Sequence, residues 1–371
     1  MSRALACGAL GLALTFPGGS LASAQDIAPM ASHERGRIVY LESCATCHGP
    51  DGRGAPGMPP EFAALLPDFT DCSFATREPD VDWMAVSHSG GPARAFSPIM
   101  PAYGTALSDD DLTAVLGYMR TMCTSADWPR GELNLPRPLV TEKAFPEDEA
   151  VITTDVSLEG SGHAAQKLVY EKRFGARNQV EVIVPYTLDD GAAGWTGGFG
   201  DIALGAKRAV YHDLTRGTIF SVAGEVVLPT GSETRGFGSG TTIFEPFVSF
   251  GQILPRDMFV QAQAGVELPV DLDKAGREAF WRLVAGGSLS QGQFGRTWSP
   301  MLELVAAREL ESGARAEWDL VPQVQVTLST RQHIMASLGV RVPVNERAER
   351  PARLLFYVLW DWFDGPLFGG W

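Results

Sequence analysis

The sequence predicts a multidomain protein in which a small all-α domain precedes an antiparallel β-barrel of about twelve transmembrane-type strands. Three observations support this prediction. A Cys-x-x-Cys-His motif, Cys44–His48, ends an amphipathic helical segment. Apolar residues keep helical spacing up to Cys123. From about Glu149 onwards, apolar and polar residues alternate with period two, as in half-buried strands.

The N-terminal residues 1–24 are predicted to be a secretory signal peptide. Arg3 carries a positive charge, residues 4–16 form a short apolar core, and residues 22–24 are a small-residue cleavage site. Cys7 lies within this segment and would be removed with it. Export would place the rest of the chain in an oxidising compartment, where disulfides can form.

Cys44, Cys47 and His48 have the spacing of a c-type haem attachment site. Two thiols on one helical turn can bond to the two vinyl groups of one porphyrin, and the adjacent imidazole can then bind the iron. Structural zinc normally needs four ligands, and no second Cys/His pair of similar spacing follows. A thioredoxin-like motif needs a βαβ context, which is absent here. The motif therefore predicts one covalently attached haem c.

Met100 is the candidate for the second axial ligand. It lies between Pro98 and Pro101, and prolines stiffen a loop that has to press a thioether onto iron. Methionine opposite histidine raises the reduction potential of a haem. The alternatives are that Met100 is ordinary core packing or that another side chain binds the iron. Those other candidates are Met58, Met84 and His88, the last of which would give a bis-histidine site.

A final helix is predicted to begin after Ser108. Ser108 is a good N-cap, and three acidic residues follow it in the first turn. Four apolar residues then share one face at helical spacing: Leu112, Val115, Leu116 and Met119. Gly117 is expected to let this helix cross the first one closely, near Gly36.

These residues make the domain ending at Cys123 resemble a class I cytochrome c: a helix that ends in Cys-x-x-Cys-His, a Met-Pro-Ala-Tyr loop, and a second helix that crosses the first. The resemblance covers about a quarter of the chain, with the domain placed at residues 25–123. It implies haem on Cys44 and Cys47, with His48 and Met100 as axial ligands. Such domains transfer single electrons, and with both axial positions filled no site remains for bond-making chemistry.

Two further cysteines, Cys72 and Cys123, form an even pair in an exported chain. We expect a disulfide between them, the alternatives being two free buried thiols or a metal site. Trp83, Arg77 and Arg94 could approach the haem propionates. Core packing of the tryptophan and solvent exposure of the arginines are equally consistent with the sequence.

Residues 124–148 contain four prolines and are predicted to be an extended linker that packs along its neighbours. Residues 149–371 alternate in about twelve segments of roughly 10 to 13 residues, close to the length of a tilted membrane-spanning strand. Short connections such as residues 254–257 and 329–332 alternate with long ones at residues 188–200 and 230–240. The alternatives to a barrel are a soluble β-sandwich and a solenoid.

The barrel region also resembles a family of outer-membrane transporters linked to aromatic-degradation operons. The residues that carry this resemblance are 175–186 and 200–205. A cytochrome followed by a barrel resembles the fused cytochrome–porins of iron-oxidising bacteria, although here the haem domain is larger and the barrel smaller. Because twelve strands enclose a modest lumen, the cytochrome is expected to dock at the periplasmic mouth rather than inside.

The predicted function is one-electron transfer by a monohaem cytochrome anchored in the outer membrane, with the haem domain in the periplasm. Expected partners are periplasmic redox proteins and the lipid bilayer, with an extracellular metal or other redox partner as a narrower hypothesis. The chain carries a formal charge of −14, which disfavours nucleic acid as a partner. The alternatives are a solute porin with the cytochrome as redox sensor or tether, and a soluble periplasmic carrier with a β-sandwich.

Overall fold

A computed structural model describes residues 28–59, 66–192, 194–347 and 350–361. The predicted signal peptide with Cys7 lies outside the described residues, as does the C-terminal end at Trp371. Within the described ranges a helical domain is followed by a closed β-barrel. The predicted fold class is therefore confirmed, and the sandwich alternative is wrong.

The helical domain occupies the N-terminal part of the described chain. Its α-helices are α1 (Ala28–Val39), α2 (Ala45–His48), α3 (Cys72–Ala75), α4 (Asp80–Ser89) and α5 (Asp109–Arg120). A π-turn at Tyr40–Cys44 joins α1 to α2, and a 3₁₀ turn at Gly91–Arg94 follows α4. No helix in the described ranges has the length and apolar character needed to cross a membrane.

Helices α1 and α5 cross at Gly36. A Cβ at this position would lie 2.0 Å from the carbonyl oxygen of Ala114, so only glycine lets the two backbones approach this closely. At Gly117, no atom of another described element lies within 4 Å of the corresponding position, so the expectation that Gly117 makes the crossing possible is wrong. Ser108 caps α5 as predicted, its Oγ accepting a hydrogen bond from the Asp111 amide at 3.2 Å.

One apolar core holds the helical domain together. Its buried members come from α1, α5 and the segment between them: Val39, Tyr40, Phe69, Ala75, Trp83, Val115, Leu116 and Met119. The disulfide Cys72–Cys123 joins the start of α3 to the residues after α5, with 5.1 Å between the two Cα atoms. The predicted pairing of these cysteines is therefore present.

The C-terminal part is a barrel of antiparallel strands. The strands are β1 (Glu149–Ser157), β2 (His163–Phe174), β3 (Asn178–Gly191), β4 (Gly194–Phe199), β5 (Ile202–Asp213), β6 (Thr218–Leu228), β7 (Ile243–Leu254), β8 (Met258–Pro269), β9 (Glu278–Gly287), β10 (Leu289–Ser290), β11 (Thr297–Glu309), β12 (Glu317–Thr327), β13 (Ile334–Pro343) and β14 (Arg353–Asp361). Strand β1 pairs with β14, and β9 pairs with β11, which closes the sheet. The short strands β4 and β10 pair only with β3 and β11, beside β5 and β9 respectively, so the barrel wall has twelve strands.

The barrel has its polar face inside. Buried wall residues include Glu171, Gln261 and Glu303, each at most 1% exposed. Outward residues on the same strands are apolar and about half exposed, such as Leu168 at 48% and Leu302 at 49%. A soluble β-sandwich would bury the apolar face instead. The period-two pattern of the sequence is the same for both arrangements, and only closure of the sheet decides which face is inside.

The two ends of the barrel differ. Tight connections between β2 and β3, β5 and β6, β7 and β8, and β12 and β13 lie at the end where β1 begins and β14 ends. Most of the longer connections lie at the opposite end, but residues 288–296, between β9 and β11, lie at the end with the tight connections. One of those at the opposite end, predicted as a loop over residues 188–200, is largely regular: β3 continues to Gly191 and forms a hairpin with β4.

The helical domain packs against the end with the tight connections. Glu78 approaches His333, with 2.6 Å between the Oε1 and Nε2 atoms. The buried Arg94 pairs with Asp82 at 2.7 Å and donates to the Phe294 carbonyl at 2.8 Å. Burial, together with the Glu78 carboxylate, raises the pKa of Asp82 to about 7, although Arg94 opposes the shift. The contact between the two domains is therefore polar and hydrogen-bonded.

Candidate haem-binding site and barrel lumen

The Cys44–His48 motif lies on the π-turn and on α2. Cys44 and Cys47 are unpaired and half-buried, in contrast to the disulfide-bonded cysteines. Burial raises the pKa of the Cys44 thiol to about 11, so this thiol stays protonated at neutral pH. Two free thiols thus lie three residues apart in one short segment.

His48 is held against the apolar core. Its ring packs on Phe69 with 4.9 Å between the ring centroids. Burial lowers the pKa of His48 and favours the neutral imidazole, which is the form that binds metals. Its Nδ1 atom is buried and has no hydrogen-bond partner among the described residues. A carbonyl near residues 58–60 remains the predicted partner, and Pro60 lies outside the described residues.

Backbone and tyrosine hydrogen bonds fix the motif. Tyr40 donates to the Gly49 carbonyl at 2.7 Å, and the Gly54 amide donates to the His48 carbonyl at 2.8 Å. Gly49 has φ +73°, and a Cβ there would lie 2.6 Å from the Gly54 carbonyl oxygen. The chain therefore turns sharply after His48 and cannot tolerate a side chain at Gly49.

The methionine loop is anchored to the same motif. The Gly91 amide donates to the Met100 carbonyl at 3.0 Å, and Tyr103 donates through its hydroxyl to the Ser43 carbonyl at 2.6 Å. Because Tyr103 follows Met100 closely and Ser43 precedes Cys44, this bond couples the positions of the two candidate axial ligands. Met100 itself is half-buried.

The weaker candidate ligands have other contacts. The His88 ring packs on Phe294 of the barrel at 5.3 Å, and its Nδ1 lies 3.0 Å from the Ser89 hydroxyl. Met84 packs against the apolar core of the helical domain. His88 therefore lies at the contact with the barrel, and Met84 lies in the core of the helical domain.

The three residues considered for the haem propionates have structural contacts. Trp83 is a core residue with the Arg120 guanidinium 3.8 Å from its ring centroid. Arg77 pairs with Asp148 at the barrel entrance, and Arg94 bonds to the barrel as described above. These contacts give no support to the expectation that the three side chains approach the haem propionates.

Most of residues 131–148 lie inside the barrel, and we call residues 131–148 the plug segment. They enter through a 3₁₀ turn at Gly131–Leu133 and return to the wall at Glu149, where β1 begins. Leu133 and Phe145 are almost completely buried. The sequence predicted an extended linker packed along its neighbours without naming them; in the structure these neighbours are the strands of the inner wall.

Polar side chains of the wall bind the backbone of the plug segment. The Leu139 and Thr141 amides donate to the carboxylate of Glu303 at 2.8 and 2.9 Å. Glu303 is the central residue of β11, so the plug segment reaches about the middle of the barrel. The other wall side chains that bond to its backbone are Gln179, Lys207, Ser221, Gln261, Gln263, Arg282, Gln323 and Tyr357.

Apolar and charged contacts also join the plug segment to the wall. A Cβ at Gly251 would lie 3.1 Å from Leu135, and one at Gly339 would lie 2.6 Å from Leu139, so both wall glycines make room for the plug segment. Arg137 binds Glu149 and Glu171 of the first two strands. With the backbone bonds, the plug segment contacts all twelve wall strands.

The sequence contains a signal for this arrangement that the prediction did not use. Leu133, Leu135 and Leu139 are apolar residues spaced between prolines, and Arg137 and Lys143 lie close to glutamates. Solvent-exposed linkers rarely carry so many apolar side chains. A linker that is both apolar and charged is consistent with a lumen whose wall is polar.

Comparison with known proteins gives matches in both parts of the chain. Residues 33–122 match the family model of cytochrome c. Among solved structures, an outer-membrane channel of Pseudomonas putida F1 is 14% identical with a TM-score of 0.43, covering 62% of this chain and 100% of that one. The NanC porin is 9% identical with a TM-score of 0.42, covering 58% of this chain and 100% of that one. No curated protein matches the sequence.

Proposed function

We propose that this chain, a cytochrome c domain followed by a closed twelve-stranded barrel, is a monohaem electron carrier anchored in the outer membrane. The observation that carries the proposal is the pairing of two free thiols and a buried neutral imidazole in one short segment of a cytochrome c domain. That domain is joined to a barrel with an apolar exterior.

The chain's own residues fit a covalently bound haem c, which a cytochrome c domain implies. Cys44 and Cys47 would each add across a vinyl group, forming a sulfur–carbon bond while the thiol hydrogen moves to the neighbouring carbon. The buried Nδ1 of His48 has no hydrogen-bond partner among the described residues, so no contact found there prevents this ring from binding iron. We assign His48 and Met100 as axial ligands. The haem supplies one-electron chemistry, and with both axial positions filled the site transfers electrons without making bonds.

The barrel supports a membrane location. Its wall strands are 9 to 14 residues long, which suffices to cross a bilayer when tilted. Apolar side chains cover its outside while buried charges line its inside, the distribution expected of an outer-membrane barrel. The predicted signal peptide favours export, and short turns on the cytochrome side favour a periplasmic location for the haem domain.

The plug segment favours electron transfer over solute transport. A porin needs a continuous water-filled path, whereas here the plug segment bonds to the wall around the whole circumference. Exchange of electrons with periplasmic redox proteins is therefore our main proposal. Electron exchange with an extracellular donor or acceptor is the more demanding proposal. It requires electrons to cross the barrel, whereas the cytochrome lies at one mouth and the plug segment reaches only half of the lumen.

Full-length protein in liposomes, oriented with the cytochrome outside, tests this function. A membrane-impermeant iron complex added outside should change the haem spectrum within seconds, and the same complex trapped inside should do so only if electrons cross the barrel. Entrapped sugar should not leak. Rapid solute flux without any haem response to either complex would support the porin instead.

The assignment of Met100 predicts a change in potential. Met100→Ala removes the thioether and should lower the reduction potential by at least about 100 mV, since axial ligands tune haem potentials over a far wider range. Spectroelectrochemical titration measures this shift. Met84→Leu, which changes a core methionine of the same domain, is the matched control and should leave the potential in place. Equal reduction potentials in Met100→Ala and the wild type would show that Met100 does not bind the iron.

A further inference from the structure

Three carboxylates meet where the plug segment passes β2 and β3 inside the barrel. They belong to Glu142 of the plug segment, Glu171 of β2 and Glu181 of β3, and one oxygen of each lies within 4.8 Å of the others. Glu171 is 0% and Glu181 is 4% exposed. Three like charges at this separation repel one another strongly in a buried site, so something has to neutralise them.

The described part of the protein does not satisfy these carboxylates. Arg137 donates to one oxygen of Glu171 at 2.8 Å, but the other oxygen is buried without a partner. No hydrogen bond or ion pair reaches Glu181 from the described residues, and its Oε2 atom is also buried. The nearest cations to Glu142 are Arg137 and Lys207, at 3.9 and 3.8 Å, beyond hydrogen-bond distance.

The local charges are unequal as well. The carboxylates in this part of the lumen include Glu142, Glu147, Glu149, Glu171, Glu181, Glu225 and Glu245, and the cations beside them include Arg137, Lys143, Lys167, Lys207 and Arg282. Negative charge is therefore in excess among these groups. A bound divalent cation would reduce that excess.

We propose that Glu142, Glu171 and Glu181 bind one Ca²⁺, which ties the plug segment to the wall at β2 and β3. Carboxylate oxygens are the ligands that Ca²⁺ prefers. Ca²⁺ accepts about 6–8 oxygen ligands in flexible geometry, whereas Mg²⁺ needs a near-ideal octahedron and keeps several waters, so three carboxylates from three different elements suit Ca²⁺ better. Water in the open half of the lumen would complete the coordination. The ion holds the plug in place and takes no part in electron transfer.

Calcium titration of the full-length haem-loaded protein in detergent tests this site. After removal of divalent ions with a chelator, calorimetry with CaCl₂ should show one binding event, and the thermal midpoint should rise. Glu181→Gln keeps the side-chain shape and should weaken Ca²⁺ binding by about 10- to 100-fold or more. Glu142→Gln should do the same. Glu233→Gln is the matched control, because Glu233 pairs with Lys274 at an exposed site and should not affect binding.

The competing explanation is that the carboxylates are protonated. In that case the wild type would show a protonated-carboxyl infrared band that Glu181→Gln loses, and Ca²⁺ would bind neither protein. This result would overturn the proposed Ca²⁺ site. Equal Ca²⁺ affinity in the wild type, Glu181→Gln and Glu142→Gln would overturn it as well. An unchanged haem spectrum and the heat-dependent gel mobility of a folded barrel confirm that each variant is folded.

Discussion

A full-length chain with both Cys44→Ser and Cys47→Ser should retain no haem after denaturation. A serine hydroxyl does not add to a vinyl group under the conditions in which a thiol does, so neither covalent bond forms. Haem staining of a denaturing gel, together with the intact mass, measures this result. The expected effect is complete loss of covalent haem, and the loss of electron transfer follows from it.

The matched control is the other cysteine pair. Cys72→Ser with Cys123→Ser removes the disulfide, which costs about 2–5 kcal/mol of stability in a small exported domain, but leaves both haem-binding thiols. This variant should keep covalent haem and unfold at a lower temperature. Haem that survives denaturation in the Cys44/Cys47 variant would show that the cofactor is attached elsewhere and would end the functional proposal.

Replacing residues 135–145 with a glycine–serine segment of equal length should open the barrel. The wild type should show little conductance in a planar bilayer, because the plug segment contacts the wall on every side. Without those side chains and ordered bonds, water and ions fill the lumen. We expect stepwise conductance at least about tenfold above the wild type, since twelve strands enclose more space than wall side chains alone can fill.

A similar replacement in residues 271–277, the connection between β8 and β9 at the opposite end, is the control and should leave conductance low. Retained haem and heat-dependent gel mobility would show that both variants are folded. Open-channel conductance already present in the wild type would contradict a closed lumen and would favour the porin alternative.

Much of this protein follows from local sequence signals. The Cys-x-x-Cys-His spacing, the Ser108 cap and the apolar face of α5 depend only on neighbouring residues, and each is found where it was predicted. The strands could also be predicted, because apolar and polar residues alternate with period two along β6, β8 and β13. Disulfide pairing was predictable because Cys72 and Cys123 are the remaining cysteines of the exported domain.

Contacts between residues distant in sequence were harder to predict. Gly36 and Gly117 are both glycines on predicted helices, but only the packing shows that Gly36 meets the Ala114 carbonyl. The linker was predicted to be extended because prolines break regular structure, and a lumen cannot be deduced from composition. The Glu142, Glu171 and Glu181 cluster joins a loop and two strands, so it exists only after the barrel closes.

The sequence by itself determined the chemistry and the local structure: a haem-attachment motif, a candidate thioether ligand, helices, and strands with one apolar face. These depend on residue type and short-range spacing. Only the tertiary structure decided between barrel and sandwich, and so which face points outward, and only it placed residues 131–148 against the inner wall as far as the middle of the lumen. Docking of the haem domain at one mouth was expected from the sequence, and the contacts that hold it there appear only in the structure. The physical reason is that closing twelve strands determines inside and outside at once, which no stretch of the chain can specify alone.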